Sequence, residues 1–292
     1  MAWWTGKTDI VGISLGDSNM VGSGGFELGV QTFNTHVQCY ATTATIPYDI
    51  GELEWRTLDP NGTSRNDQML ETLLDDTTYI GQVLGGNGNA AMQMASTVQQ
   101  GTDAETFWLY QGAQGGTTAY DWAFGDNWTT MLAELPAALT AVPGSPTYAD
   151  IIYISLGAND ALGIFSPTYT PDEFYTNFSA LRSQMISEGW WVPGTTQILL
   201  GDLPQNGVIP GSWVGLDYVR ARLNDRIALV SGYGLAIQPD FIDVHYTPAS
   251  LTTMGRTAGE MVIDQIPWQQ SVFSVGGTRL SVGGQKLRVH SP

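Results

Sequence analysis

Four short runs in this chain are apolar on nearly every residue, and they constrain its fold more than any other feature. They are DIVGISL (9–15), TFWLYQ (106–111), IIYISLG (151–157) and TQILLGDLP (196–204). A strand with one wet face alternates apolar and polar residues; a strand apolar on both faces must be covered on both. Longer segments with helical spacing lie among and after these runs: NAAMQMASTVQQG, WTTMLAELPAALTAV, PDEFYTNFSALRSQMISEG, LDYVRARLNDRIALVSGYG and PASLTTMGRTAGEMVIDQI. Pro171 and Asp172 open one of them and Gly189 closes it, while Gly232 closes another. Strands alternating with helices imply an α/β protein with a parallel sheet between two helical layers. Residues from about 26 to 88 are less regular and contain the turn-rich TLDPNGTSRND. They read as an elaboration over the carboxyl edge of the sheet, where α/β proteins bind ligands. HVQCYATT, within that region, reads as a strand.

The length of 292 residues suits one large domain or one domain with an appendage. With 28 acidic residues against 11 basic ones, the formal charge is −17. Such a chain repels a phosphate backbone and an anionic membrane surface, so neither nucleic acid nor membrane is expected as a partner. The single cysteine, Cys39, excludes an intrachain disulfide and a thiolate metal cage. MAWWTGKTD lacks the basic and apolar regions of a secretory signal. No run reaches the roughly 18 apolar residues of a membrane span. A cytoplasmic or virion-associated location is expected.

The last segment differs from the rest. SVGGTRL (274–280) is followed at once by SVGGQKL (281–287), a tandem repeat made basic by Arg279, Lys286 and Arg288. Two copies are too few for a solenoid, but Gly-Gly turns between alternating residues fit a small hairpin. The boundaries implied are a main domain over 1–270 and a tail over 271–292. The tail is either a frayed terminus or a strand for oligomerisation or virion attachment.

Four segments, each after or near an expected strand, can carry chemistry together. GDSN ends the first strand and puts Ser18 at the sheet edge, as a helix N-cap or as a nucleophile. QGGTT follows the second, where Gly115 or Gly116 lets a ligand approach backbone N–H groups. GAND follows the third and brings the Asn159 amide, a donor suited to an oxyanion. IDVHY carries His245, one of only three histidines, and histidine is the commonest general base near neutral pH. Asp243 and Asp240 lie close enough to orient its imidazole.

The ordered set GDSN, GGT, GAND and DVH resembles the SGNH/GDSL hydrolase superfamily. GDSNMVG, Gly115-Gly116-Thr117 with Trp122, and HYTPASLTTMG are similar to the sialate O-acetylesterase-like and acetylxylan-esterase-like branch. The resemblance spans about residues 10 to 266. It implies a three-layer α/β/α sandwich with a flavodoxin-like parallel sheet, the SGNH hydrolase fold, and ester hydrolysis without a cofactor or metal. By position, Ser18 is the nucleophile and His245 its base. The Ser18 N–H, the Gly116 N–H and the Asn159 side chain form the oxyanion hole, with Gly115 competing with Gly116.

Three departures stand out. Asp17 replaces the Gln of the branch, GAND replaces its Gln-Gly-Glu, and Ile242 occupies the position three before the histidine where the family carries its acid. Asp243 is then the expected support for His245, with Asp240 or a backbone carbonyl as alternatives. Tyr120, Trp122 and Trp128 follow the glycine loop, and Trp55 lies in the elaboration; these aromatics serve either core packing or stacking on sugar rings. The function expected is removal of acetyl groups from a carbohydrate. The alternatives are a non-catalytic virion or carbohydrate-binding protein on the same scaffold, and a lipid or thioester hydrolase.

Overall fold

The computed structural model of the chain describes residues 3–21, 34–41, 55–58, 90–162, 170–204, 209, 227–238, 244–264, 272–275 and 278–281. The four apolar runs form β1 (Asp9–Gly16), β4 (Thr106–Gln111), β5 (Ile151–Ser155) and β6 (Gln197–Gly201). Three further strands complete one sheet: β2 (Asn34–Ala41), β3 (Trp55–Leu58) and β7 (Ile227–Val230). The order across the sheet is β3-β2-β4-β1-β5-β6-β7. All neighbours are parallel except β2 and β3. Without β2 and β3 the order β4-β1-β5-β6-β7 is that of a flavodoxin-like sheet, with the direction of winding reversing at β1. Within the region over 26–88, β2 and β3 widen the sheet at one side; the rest of that region, on which the expected elaboration over the carboxyl edge falls, lies outside the described residues.

Successive residues of each buried strand feed opposite helical layers, as the two-residue period requires. Val11, Ile13 and Leu15 of β1, Ile152 and Ile154 of β5, and Ile198 and Leu200 of β6 face one core. That core is closed by α3 (Ala119–Phe124), α4 (Asp126–Ala141) and α6 (Pro171–Ser187) through residues such as Trp122, Leu135, Phe174 and Phe178. Ile10, Ile151, Tyr153 and Leu199 face the other core, closed by α2 (Ala90–Gln100) and α7 (Pro248–Ile263) through Met94, Val98, Met254 and Val262. Two one-turn helices, α1 (Ser18–Val21) and α5 (Ala158–Ala161), sit directly after β1 and β5.

The helix starts follow local chemistry. Thr118 and Thr170 each form a capping box with the acid three residues on, Asp121 and Glu173, and Thr247 caps α7 through the Ser250 N–H. One sequence expectation fails here. RIALV falls within the helical pattern that Gly232 closes, yet Ile227–Val230 is the last parallel strand. Its apolar run is too short to tell strand from helix by periodicity alone. Gly232 answers to packing instead: a Cβ there would meet the Tyr246 hydroxyl at 1.8 Å.

β8 (Val272–Val275) pairs antiparallel with β9 (Thr278–Ser281) as a two-stranded sheet of its own; the KLRV strand of the expected RLSV–KLRV hairpin lies outside the described residues. The second repeat beyond Ser281 lies outside the described residues. Among the described residues, no helix is long and apolar enough to cross a membrane.

Candidate active site

The carboxyl ends of β4, β1 and β5 are adjacent in the sheet, so the loops that follow them meet. Gly16, the last residue of β1, allows this: a Cβ there would stand 2.3 Å from the Ser155 carbonyl oxygen and 2.5 Å from Met20 Cβ. Two buried side chains hold the exit of β1. Ser14 donates to the Gln111 side chain at 2.6 Å, and Gln111 donates to the Met20 carbonyl at 3.2 Å.

Ser18 opens α1, and its Oγ lies 2.8 Å from His245 Nε2. The capping of that turn falls to Asp17, whose side chain accepts the Asn19 N–H. Ser18 is 9% exposed. A nucleophile–base pair needs this reach.

His245 is carried on a short extended segment. The His245 carbonyl accepts the Gln238 N–H at 2.8 Å, and the Thr247 N–H donates to the Ala236 carbonyl at 3.1 Å. On the opposite side, Asn19 Nδ2 donates to the Val244 carbonyl at 2.9 Å and Asn19 Oδ1 accepts the Tyr246 N–H at 3.0 Å. The flanking Val244 and Tyr246 side chains are buried, one in each core. Asp243 and Asp240, expected to orient the imidazole, and Ile242 lie outside the described residues.

Asp17 is buried and ties two loops together. Its carboxylate accepts N–H groups of Asn19 at 3.2 Å and Ala158 at 3.3 Å, and its own N–H donates to the Ser155 carbonyl. Burial pushes its carboxyl up to about 6, against the lowering effect of those two N–H groups and of His245.

The glycine loop leaves β4 in register with β1, as Gln114 N–H donates to the Gly16 carbonyl at 2.9 Å. Gly116 has φ +77 and is exposed; Gly115 is half-buried. Asn159, 5% exposed, donates its amide to the Thr117 carbonyl at 2.9 Å, and the adjacent Asp160 accepts the Ala119 N–H. Gly157, with φ +118, makes the left-handed turn that starts this segment. Hydrogen bonds tie the glycine loop to Asn159 and Asp160, the preceding Ala158 to Asp17, Asp17 to Asn19, and Asn19 to the histidine segment.

The two aromatics expected at the site part company. Trp122 is 1% exposed and packs in the core, where its indole N–H donates to Thr117 Oγ1 at 3.0 Å. That burial corrects the sugar-stacking expectation for Trp122: its ring steadies the glycine loop from below. Tyr120 is 54% exposed and pairs with Phe124, equally exposed, at a ring separation of 5.5 Å. Trp128 packs against Trp190, and the Trp55 side chain lies outside the described residues.

Sequence reasoning missed Asn19 and Asp160. Both are polar residues buried at one-turn helices beside Ser18 and Asn159. Their signal was an amide or acid directly after a candidate site residue.

No protein-family model and no curated protein sequence matches the chain. Solved structures share its fold. A protein of Arabidopsis thaliana superposes with a TM-score of 0.60 at 16% identity, over 88% of this chain and 98% of that one. A carbohydrate acetylesterase from Xanthomonas citri superposes with a TM-score of 0.52 at 14% identity, over 88% of this chain and 56% of that one. At these identities the likeness concerns the fold.

Proposed function

We propose that the chain is a serine ester hydrolase that removes acetyl groups from a carbohydrate through an acyl-enzyme intermediate. The observation that carries this reading is the 2.8 Å contact between Ser18 Oγ and His245 Nε2 at the carboxyl edge of the sheet. In the first step His245 Nε2 takes the Ser18 proton as Oγ bonds to the ester carbonyl carbon. The Ser18 N–H, the Gly116 or Gly115 N–H and the second N–H of the Asn159 amide stabilise the oxyanion. The imidazolium returns the proton to the leaving alcohol. Water, activated by the same imidazole, then releases acetate. Asp243 or Asp240 would orient the ring from the segment preceding Val244.

The carbohydrate side of the reading is supported by an acetylesterase of the same fold and by the exposed Tyr120 ring, an apolar face of the kind on which sugars stack. The Tyr120–Phe124 pair equally favours a second reading, a lipid or thioester hydrolase whose acyl chain lies on those rings. A panel of acetylated polysaccharides scored for released acetate, with Ser18→Ala as control, tests the first. Release by the wild type and its loss in the variant are expected. A rate that climbs from acetate toward octanoate esters, with no acetate released from glycans, would replace it with the second.

A further inference from the structure

The backbone around His245 is bonded in the pattern of a strand with a neighbour on each side. His245 and Thr247 bond one way, to Gln238 and Ala236. Val244 and Tyr246 bond the other way, and there the partner is a single side chain, the amide of Asn19. A carboxamide has the same acceptor and donor as a peptide group, so it satisfies one carbonyl and one N–H as a strand would. Asn19 is 3% exposed, and its backbone is continuous with Ser18. One residue therefore bolts the segment carrying the base to the turn carrying the nucleophile, across more than 220 positions of sequence.

We propose that Asn19 is a positioning residue, acting as a one-residue strand that holds His245 at hydrogen-bond distance from Ser18. This rests on the Ser18–His245 reading above. Asn19 does not touch the ester; it acts through His245. Releasing either bond frees the histidine segment to shift. A displacement of about 1 Å between reacting groups costs on the order of 10²-fold in rate. Substrate binding does not pass through Asn19, so KM is expected to stay put.

The test compares wild type, Ser18→Ala, Asn19→Leu and Asn19→Asp with p-nitrophenyl acetate, with folding checked by circular dichroism. Asn19→Leu keeps approximate size and removes both bonds. Asn19→Asp keeps the acceptor for the Tyr246 N–H and sets an oxygen against the Val244 carbonyl. The expected result is a kcat lowered on the order of 10²-fold in both folded variants, with KM within about threefold of wild type. A folded variant with wild-type kcat would overturn the inference and leave the esterase reading standing, because Ser18→Ala is inactive in the same assay. If Asn19→Leu fails to fold, Asn19→Asp decides on the same criterion. Failure of both to fold would make Asn19 a stability residue only and overturn the inference. A wild type as inactive as Ser18→Ala would overturn the esterase reading itself.

Discussion

Asp17 shows how one residue can serve the site at a cost to the fold. Its buried carboxyl is pushed to about 6, so between about pH 4 and that value the folded chain keeps a proton the unfolded chain has released. The stability this group contributes is complete below about pH 4 and is lost as pH rises through 6. A shift of about two units corresponds to about 3 kcal/mol. In urea titrations, wild type should lose about that much relative to Asp17→Asn between pH 4 and pH 7; identical pH slopes in the two proteins would contradict it. At this scale the sequence was only partly legible. Ser18, Asn159 and His245 stood out because each is a reactive or donor residue beside an expected strand. Trp122 stayed open between core packing and sugar stacking because a tryptophan near a glycine loop looks the same whether its ring faces solvent or, as here, Thr117 and the core. Asn19 was missed because its partners, Val244 and Tyr246, are backbone groups, which no residue pattern announces.

The elements follow from periodicity where the runs are long and lose clarity where they are short. The four apolar runs and the helices α2, α4, α6 and α7 were legible because burial on two faces, or on one helical stripe, dictates residue type. The strand β7 was not, because four apolar residues after a helix-like stretch fit either state. The pairing of α2 with α7 was also hidden, since it depends on glycines whose purpose only the packed pair reveals. A Cβ on Gly255 would lie 2.3 Å from the Ala90 carbonyl oxygen, and one on Gly259 would lie 2.6 Å from Thr97 Cβ. Alanine is the better helix former by about 1 kcal/mol, but the first of these clashes is with backbone, which cannot rotate away. Gly255→Ala is therefore expected to lower the unfolding free energy by about 1–2 kcal/mol, the lower part of the overpacking range. A stabilised variant in denaturant titration would show that the two helices part at no cost.

The whole molecule brings together four loops that are far apart in sequence and contiguous only once the sheet order is set. β1 lies between β4 and β5, so GDSN, QGGTT and GAND must share one edge; that much follows from a flavodoxin-like order. The return of His245 to Ser18, across 227 positions, depends on the bridge to Ile237 and on Asn19 rather than on a strand of the main sheet. The central claim is that this closure makes Ser18 a nucleophile with His245 as its base. Labelling of the intact protein with a fluorophosphonate, mapped by mass spectrometry in wild type and in His245→Ala, tests it most directly. One adduct is expected, on Ser18, forming in wild type at a rate that falls by roughly 10²–10⁴-fold in His245→Ala. No adduct on Ser18 in wild type, or equal labelling without His245, would contradict it.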